Sequence, residues 1–453
     1  MITIRDLTGL NQTEISSMPL ITDQVPVQTH VQNLAAGEKL SVAGSRHSQG
    51  GQATCTGHVM LVSELMDKII AVNVNDNTIT VEAGATWSRV HHQLNKFALA
   101  PLVHQSSPGF SVGGSLSVNC HGRDPRMGPL SSTVKSLKLL LPDGSIQSNV
   151  TPDSDLAKAV LGGYGSCAII LEASLQVCPN EMLEQESELM SLAEYQTFID
   201  SKGSGSDPWP DMHYAWLSFD PDKLYENVLR VSYKNKQKLA WKDEKLDIEQ
   251  WVTGEFTRGV WSKAREDKVA RSKLWKGIVS YYTNSNPIKS RMNWMRSSIS
   301  FVMHKGEKET DLLQEYFVPV ANLQSFVEKL KTIIYPGDGS VRVMSTTVRI
   351  VQAEKNGETT FLSYCPTQTM ACIAVDLNVD IENGKPKPSV IGCFNKAIQL
   401  AMAEGGTYYL PYYRAADKAL FQKAYPGYIN QQKIITSTNP HRKFDNDFLN
   451  SYF

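Results

Sequence analysis

Two glycine-rich loops, both set among short strand-like segments, constrain the fold of this chain more than any other feature. The first loop reads AGSRHSQGG at 43–51 and directly follows the strand-like run LSVAG. The second reads PGFSVGGSLSVNCHG at 108–122. Glycine allows backbone N–H groups to approach a phosphate closely, and serine and asparagine add hydrogen bonds. Two such loops around one strand–helix unit predict a site for a phosphate-containing ligand.

The elements around these loops alternate between strands and helices. Runs of β-branched residues bounded by turn residues predict strands at 40–44, 69–74, 78–84, 134–144 and 168–177. Apolar residues at three- and four-residue spacing predict a helix over 86–98, and a second, short helix is predicted at 154–161. This alternation indicates an α+β domain rather than an all-β sandwich.

The middle of the chain has a different composition. Between about 180 and 310 it is rich in Trp, Tyr, Met, Lys and Arg, and the segment 258–296 interleaves basic residues with aromatic ones. One interpretation of 258–296 is a helical insertion with a solvated basic face. The other is a surface that contacts anionic lipid or a phosphorylated substrate. After 311, strands and helices (321–333 and 390–404) alternate again and predict a second sheet-plus-helix domain.

Charge, cysteine content and hydropathy exclude several classes of protein. Lys+Arg total 45 against 46 Asp+Glu, so a formal net charge of -1 gives no attraction to nucleic acid. The seven cysteines are scattered without CxxC pairs, which favours reduced thiols over a disulfide scaffold or a zinc ribbon. No signal peptide and no membrane-spanning apolar run is visible. We therefore expect a soluble, cytoplasmic protein without a metal.

Several enzyme motifs are missing or out of context. The sequence contains no G-x-G-x-x-G run, no P-loop and no H-E-x-x-H. Residues 109–113 fit G-x-S-x-G, the nucleophile elbow of α/β-hydrolases. That elbow requires a buried strand before it and a helix after it, whereas Ser-Ser-Pro precedes it here. The serine hydrolase is therefore the least favoured function.

The order of these segments resembles the FAD-binding domain of the vanillyl-alcohol oxidase (PCMH-type) superfamily. The resemblance covers about residues 20–180 and is carried by segments 44–48, 81–87, 112–122 and 165–175. A weaker likeness to aldonolactone and alditol oxidases, and to the oxidase subunit of decaprenylphosphoryl-ribose epimerase, is carried by 314–319, 348–349, 361–363 and 443–448.

The resemblance implies an α+β fold in three segments. Residues 1–180 would form a PCMH-type FAD-binding domain, 181–405 an inserted substrate (cap) domain, and 406–453 a segment that returns to the FAD domain. The residues that it assigns to FAD binding are Ala43, Gly44, Ser45, Arg46, His47, Ser48, Gln49, Pro108, Gly109, Gly113, Gly114, Ser117, Asn119, Cys120, Gly122, Gly165, Ile169, Ile170 and Asn446.

One residue of the first loop, His47, is predicted to bond covalently to the flavin. Resembling proteins with histidine at this position carry such a bond, which would fix the cofactor and raise its reduction potential. A second bond from Cys120 is an alternative, but we favour a small residue packed near the ring. The neighbouring His121 is expected to pack against the flavin or to orient the substrate.

The activity implied is oxidation of a CH–OH group by hydride transfer to FAD, with oxygen or another acceptor taking the electrons. Such a site needs a proton acceptor, a polar clamp and positive charge near the reduced ring. Glu315 is the candidate clamp or base, and Arg349 is the candidate cation. Asp376 lies in an Ala-Val-Asp triplet that resembles the epimerase subunit.

Tyr412 stands where the resembling oxidases carry a lysine. A phenol can exchange hydrogen bonds with a hydroxyl but supplies no positive charge at neutral pH. The surrounding tyrosines predict an aromatic pocket, which suits a sugar face or a larger, partly apolar alcohol better than a small polyol. The alternative function is a flavoprotein whose segment 258–296 docks on a membrane or a protein partner.

Overall fold

The structure is a computed structural model of the 453-residue chain, and its strands fall into four sheets. It describes residues 2–19, 21, 23–62, 65–203, 207–240, 244–247, 254–296, 304–355 and 357–453. The strands of the described residues are β1 (Ile2–Arg5), β2 (Gln12–Ile15), β3 (Leu40–Ala43), β4 (Val59–Val62), β5 (Ile69–Asn73), β6 (Thr78–Glu82), β7 (Leu99–Pro101), β8 (Val134–Leu140), β9 (Ile146–Val150), β10 (Ile169–Pro179), β11 (Glu181–Ser191), β12 (Met212–Leu217), β13 (Asn227–Ala240), β14 (Ile288–Ser290), β15 (Glu309–Pro319), β16 (Val341–Val351), β17 (Met370–Glu382), β18 (Lys385–Pro386) and β19 (Thr407–Tyr408).

Helices pack between and beside these strands. They are α1 (Gln24–Gln32), α2 (Trp87–Asn95), α3 (Val112–Ser117), α4 (Asp155–Val160), α5 (Leu192–Gly203), α6 (Gly254–Glu266), α7 (Lys268–Thr283), α8 (Arg291–Trp294), α9 (Leu323–Ile333), α10 (Pro388–Ala403), α11 (Lys418–Ala424), α12 (Tyr428–Thr438) and α13 (Asp447–Tyr452). Among the helices that the structure describes, none combines the length and hydrophobicity that crossing a bilayer requires.

The first large sheet is built from the N-terminal third of the chain. Its order is β5-β6-β10-β8-β9, with β7 also paired to β10. The long central strand β10 alternates between buried and partly exposed residues, because one face packs on the core. Helix α2 covers this core through Trp87, Val90 and Leu94, and the Thr86 side chain caps its first turn. The predicted α+β class is confirmed.

The second large sheet has nine antiparallel strands. Its order is β14-β11-β13-β12-β16-β17-β15-β19, and β18 extends β17. Helices α9 and α10 pack against β15 and bury Phe326 and Phe394 completely. The opposite face of β15, β16 and β17 is therefore free to carry polar side chains toward the first sheet. Strand β11 begins two residues after β10 ends, close to the boundary placed at 180, and the boundary itself stays a prediction.

The C-terminal segment contacts the first glycine-rich loop region. Phe444 forms a parallel bridge with Leu40 at the start of β3, and the Leu40 N–H donates to the Lys443 carbonyl over 2.7 Å. Lys39 forms a 2.8 Å ion pair with the buried carboxylate of Asp445. These contacts join the last residues of the chain to the strand that precedes residues 43–51.

The sequence predicted elements of both large sheets but named no strand or helix between 181 and 257. The helices over 86–98, 154–161, 321–333 and 390–404 are confirmed as α2, α4, α9 and α10; the first three are somewhat shorter than predicted, and α10 begins two residues earlier. Strands β11, β12 and β13, however, precede the helices α6 and α7. The charged composition of β11 and β13 hid their two-residue alternation, and β12 (MHYAWL) has none because it is buried on both faces.

The basic segment 258–296 is helical, but its cations are not all solvated. Arg265 is buried and donates through Nε to Asp311 over 3.0 Å. Arg291 is buried against Asp124 at 3.1 Å. Ion pairs as buried as these are structural, because removing one partner leaves an uncompensated charge. Among the side chains of this segment that the structure describes, the exposed basic residues are lysines.

Candidate active site

A cavity of about 1050 Å³ lies between the two large sheets. One wall is formed by the two glycine-rich loops and by residues 164–170, and the other wall by β12, β15, β16 and β17. Helices α6 and α7 line its remaining side. The volume is at the large end for small-molecule sites and suits a cofactor together with a substrate.

The two glycine-rich loops touch each other at the base of this cavity. A Cβ on Gly44 would lie 2.3 Å from the Ser111 Oγ, so only glycine fits at this position. The Ser111 hydroxyl caps α3 by accepting the Gly114 N–H at 3.3 Å. Gly113 packs directly on β6: its N–H donates to the Ala83 carbonyl over 2.7 Å, and its missing side chain leaves no room for a methyl group. The close approach keeps backbone amides at the cavity wall.

The position of Ser111 argues against a role as the nucleophile of an α/β-hydrolase. Its hydroxyl is engaged at the start of α3, and residues 102–110 before it form a loop rather than a buried strand. The strand–elbow–helix geometry of an α/β-hydrolase nucleophile is not formed here.

His47 faces the cavity from the first loop. Its ring packs edge-on against Phe110 with centroids 4.1 Å apart. Burial, with a smaller contribution from the Arg46 charge, lowers the pKa of His47 to about 4. The ring is therefore neutral at pH 7, and its buried Nδ1 has no hydrogen-bond partner among the described residues. A neutral imidazole nitrogen that has a lone pair and no hydrogen-bond partner can bond to a ligand atom.

Strand pairing brings the predicted catalytic residues of the second sheet onto one face. Glu315 on β15 lies opposite Ala374 on β17, which in turn lies opposite Thr347 on β16. Asp376 and Arg349 lie two residues from these positions and so point to the same side. All three predicted side chains line the cavity.

Glu315 is the centre of a buried hydrogen-bonded cluster. Its Oε2 lies 3.1 Å from Nε2 of His121, and its Oε1 accepts the Tyr412 hydroxyl at 2.8 Å. The Cys372 thiol lies 3.5 Å from the same His121 nitrogen. Burial raises the pKa of Glu315, but the hydrogen bond and charge of His121, then Arg349 and Tyr412, outweigh it and hold that pKa below its usual value. Glu315 is therefore an ionised acceptor with both oxygens engaged.

Asp376 has the opposite electrostatic environment. It is partly buried, and its carboxylate accepts the hydroxyl of Ser345 on the paired strand. Burial, aided by the negative charges of Asp311 and Glu315, raises the pKa of Asp376 to about 7. The polar end of the cavity thus holds two carboxyl groups, Glu315 and Asp376, of which one stays ionised and one changes protonation near neutral pH.

Arg349 is held between the walls. Its guanidinium donates to the Ser106 hydroxyl over 2.5 Å, which joins β16 to the loop before the second glycine-rich segment. Cys120, in contrast, is buried beside the cavity, and burial raises the pKa of its thiol to about 12. A protonated thiol is a weak nucleophile.

The remaining predicted FAD-binding residues divide into two groups. Some line the cavity: Gly44, Ser45, Arg46, Ser48, Gly113, Gly114, Ser117, Gly165, Ile169 and Ile170. Others lie outside its wall: Ala43, Gln49, Pro108, Gly109, Asn119, Gly122 and Asn446. This second group supports the first. For example, Asn119 donates to Glu354 over 2.8 Å, and Asn446 donates to the Tyr164 carbonyl over 2.8 Å.

Three residues of the site escaped the sequence analysis. Cys372 contacts the Glu315 cluster, Ser345 donates to Asp376, and Ser106 anchors Arg349. The signal for Ser345 was available, because it lies four residues before Arg349 on the same face of one strand. The other two depend on contacts between distant segments.

The side of the cavity away from the glycine-rich loops is aromatic. The side chains that line it come from β12, β13, α6, α7 and α8 and include Tyr214, Trp216, Tyr233, Trp261, Leu274, Ile278, Tyr281, Tyr282 and Trp294. Lys263 and Lys273 lie on the same two helices. The cavity therefore has a polar end at Glu315 and Asp376, an apolar body, and charged residues of both signs, among them Asp267, toward its outer end.

Comparisons with known proteins agree with this geometry. Residues 27–148 match the family described as an FAD binding domain. L-galactono-1,4-lactone dehydrogenase 2 (mitochondrial) of Oryza sativa subsp. japonica is 29% identical over 199 residues, 43% of this chain and 32% of that protein. L-gulonolactone oxidase of Mus musculus is 28% identical over 201 residues, 44% of each chain. Decaprenylphosphoryl-beta-D-ribose oxidase of Mycolicibacterium smegmatis is 26% identical over 148 residues, 32% of each chain.

The matched stretches span less than half of the length of these relatives. A solved structure of cholesterol oxidase from Brevibacterium sterolicum superposes on nearly the whole chain, with a TM-score of 0.73 over 99% of this chain and 96% of that one. Its sequence identity is 14%, so this likeness concerns the fold. The two proteins therefore share their fold over nearly the whole of this chain.

The contact between Gly113 and Ala83 gives a test of the cavity base. In Gly113→Ala the new methyl group would lie 2.7 Å from the Ala83 Cβ, so we expect a loss of about 1–3 kcal/mol in unfolding free energy and less bound flavin. Gly392→Ala on α10 is the matched control, because that position is open and alanine favours a helix by up to about 1 kcal/mol. Denaturant unfolding and the flavin-to-protein absorbance ratio measure both effects. Equal behaviour of the two variants would contradict this description.

Proposed function

We propose that this chain, which contains an FAD-binding domain at residues 27–148, is an FAD-dependent oxidoreductase that oxidises a CH–OH group of a sugar-like or larger, partly apolar alcohol. Oxygen or another acceptor would take up the electrons. The observation that carries the proposal is the single cavity in which the glycine-rich loops face Glu315, Asp376 and Arg349. All seven cysteines are free thiols, which is consistent with a protein that works in the reducing cytoplasm.

The residues at the cavity base fit FAD. Because Gly44 and Gly113 have no side chains, their backbones lie directly against Ser111 and Ala83 at the cavity wall. The Nδ1 of His47, which has no hydrogen-bond partner among the described residues, lies at the same wall. FAD, when bound, supplies a two-electron acceptor for the hydride of the alcohol carbon. We propose that His47 is bonded covalently to the flavin, because its neutral, unpartnered nitrogen is available for that bond.

The proton of the substrate hydroxyl needs a separate acceptor. We assign this role to Asp376, because a carboxyl group with a pKa of about 7 can take and release a proton near neutral pH. Glu315 has both oxygens engaged and is assigned as the clamp that holds His121 and Tyr412 in place.

Arg349 supplies the positive charge on this face of the cavity. Its position is fixed by Ser106, and Tyr412 adds no charge of its own. A fixed cation stabilises negative charge that develops beside it during the reaction.

The shape of the cavity supports the substrate class. A hydroxyl group would lie at the polar end, and the aromatic wall around Trp216, Tyr282 and Trp294 would pack against an apolar body. Named relatives act on lactones and on a decaprenyl-linked ribose, and these names are consistent with a sugar-like alcohol that has a variable tail.

A second candidate function is contact with a membrane at the outer end of the cavity. Val269 and Tyr281 on α7 are 53% and 73% exposed, and Ile288 at the start of β14 is 51% exposed. Lys273 and Lys276 lie exposed on the same helix. Exposed apolar residues among lysines are typical of a surface that rests on anionic lipid. We propose that this α7 surface docks on a membrane and takes the alcohol from it.

The substrate class can be tested by anaerobic bleaching of the flavin. We expect fast bleaching by bulky, partly apolar secondary alcohols and slow bleaching by xylitol or sorbitol. Trp216→Ala should lower kcat/KM for a bulky alcohol by about tenfold, the equivalent of one aromatic contact. Trp209→Ala, outside the cavity wall, is the control. Rapid turnover of sorbitol, unchanged in Trp216→Ala, would contradict the proposal.

The proton acceptor can be identified from the pH dependence of flavin reduction. Because the raised pKa keeps Asp376 protonated below about 7, the rate should rise as pH increases through that value. Asp376→Asn should slow reduction by about 10²-fold and remove this rise. Asp380→Asn, on the same strand but outside the cavity wall, should keep it. If Glu315→Gln removes the rise and Asp376→Asn keeps it, Glu315 is the acceptor instead.

The covalent bond has a simple readout. Acid-precipitated protein should retain the yellow chromophore in the pellet, and His47→Ala should release it into the supernatant. His92→Ala, an exposed histidine on α2, should behave like the unmodified protein. A colourless pellet from the unmodified protein would disprove the bond at His47 and leave the fold untouched.

Membrane contact can be measured by co-sedimentation with vesicles at low and high salt. Binding to phosphatidylserine-containing vesicles should exceed binding to neutral vesicles and fall with added salt. Lys273→Gln should weaken it about fivefold, since one lysine near an anionic surface contributes about 1 kcal/mol. Lys423→Gln on α11 is the control. Absence of binding to anionic vesicles at low salt would disprove this function.

A further inference from the structure

We propose that His121, Glu315 and Cys372 form a binding site for a thiophilic divalent cation such as Zn²⁺ or Cd²⁺. Cation binding here does not depend on the proposed reaction. Only the expectation that a bound cation stops turnover rests on that function.

The three donor atoms are already arranged as ligands of one ion. His121 Nε2 lies 3.1 Å from Glu315 Oε2 and 3.5 Å from Cys372 Sγ, and Cys372 Sγ lies 3.7 Å from Glu315 Oε2. Tetrahedral Zn²⁺ with ordinary bond lengths would separate the same pairs of atoms by about 3.3, 3.6 and 3.5 Å. Each observed distance is within about 0.2 Å of these values, so an ion could bind with little movement of the side chains.

The set of donors matches the preference of such ions. Imidazole, carboxylate and thiolate are the protein ligands of zinc, and sulfur selects for soft cations over Mg²⁺ and Ca²⁺. All three side chains are buried, at 3%, 5% and 0% exposure. The three donors are buried and lie within 4.8 Å of one another, unlike a cluster of acidic groups on the surface.

The surroundings hold these donors in position. Glu315 and Cys372 lie on the paired strands β15 and β17, whose register is continuous over eleven residues. The second oxygen of Glu315 accepts the Tyr412 hydroxyl at 2.8 Å, the kind of outer contact that orients a metal ligand. His121 and Glu315 line the cavity, so a fourth ligand, water or a substrate oxygen, can approach from it.

Binding requires only the movement of protons. Burial and the Glu315 charge raise the pKa of the Cys372 thiol well above its ordinary value, so the sulfur gives up its proton only as it bonds to the cation, and that proton leaves through the cavity. Nδ1 of His121 has no hydrogen-bond partner among the described residues, so the ring can carry its proton there and present the Nε2 lone pair. Glu315 contributes a negative charge without change, and no oxidant or reductant takes part.

A second triad elsewhere in the described chain is less suited to a cation. Cys55, His58 and Asp445 also place their donor atoms within 4.8 Å of one another. The Asp445 carboxylate, however, already pairs with Lys39 at 2.8 Å and with Arg442 at 3.0 Å. Two fixed cations at one ligand oppose a third, whereas Glu315 is approached by hydrogen-bond donors and a histidine.

The consequence would be reversible inhibition. An ion bound to Glu315 and His121 would lie at the polar end of the cavity, where the substrate hydroxyl is placed. Alcohol and cation would therefore compete. The cavity would then be sensitive to trace zinc or cadmium, and a chelator would restore activity.

The experiment is a titration of the flavin-containing protein with Cd²⁺ in the absence of substrate. Calorimetry and ultraviolet difference spectra should show one equivalent bound, with a thiolate-to-cadmium charge-transfer band. Cys372→Ser should abolish the band and weaken binding at least tenfold, within the usual range of losses for a metal ligand and its partners. Cys55→Ser, which removes the cysteine of the other triad, should retain both signals.

A second variant protects against misfolding of the first. Glu315→Gln keeps the side-chain volume and the cysteine, and it should also lose tight binding while its flavin spectrum and unfolding temperature are checked. A band that disappears in Cys55→Ser and persists in Cys372→Ser would overturn the proposal, as would no band in the unmodified protein. Tight cadmium binding without any alcohol activity would support this site and refute the proposed function.

Discussion

The register between β15, β17 and β16 is the constraint on which the site depends. These strands place Glu315, Asp376 and Arg349 on one face because each pair lies an even number of residues from the same cross-strand row. A shift by one residue would turn every one of these side chains toward the helices α9 and α10. The buried apolar residues on the helix side, such as Phe326 and Phe394, fix the register and so fix the chemistry on the other side.

The two carboxyl groups at the polar end of the cavity, Glu315 and Asp376, show how position determines charge in a shared space. Glu315 is deeper, yet donors from His121 and Tyr412 keep its pKa low, whereas Asp376 receives one hydroxyl group and two neighbouring negative charges. Burial alone would have given both the same behaviour. The difference between them comes from the number of donors that reach each carboxylate.

Sequence reasoning could locate the features that depend on local pattern. The glycine-rich loops lie at the cavity as expected, and the amphipathic helices α2, α9 and α10 follow their apolar spacing. Glu315, Asp376 and Arg349, assigned from short resemblances, are brought to one wall. Cys372 and Ser106 could not be found this way, because their partners lie 251 and 243 residues away along the chain. Strands β11 and β13 were missed because charged residues obscured their alternation, and β12 was missed because a strand buried on both faces has no alternation to read.

Gln49 gives the arrangement a mechanical property. Its side-chain oxygen accepts the Leu313 N–H at 3.0 Å, and its own N–H donates to the Pro411 carbonyl over 2.8 Å. A residue of the first glycine-rich loop is thereby tied to the backbone of β15 and to the chain after β19. Two hydrogen bonds of Gln49 therefore join the two halves of the molecule, and the partner atom in each of them belongs to the backbone. If the nine-stranded sheet of a homologue were grafted onto this N-terminal half, both hydrogen bonds would form whatever side chains the homologue carries. The condition is that the strands equivalent to β15 and β19 keep their lengths.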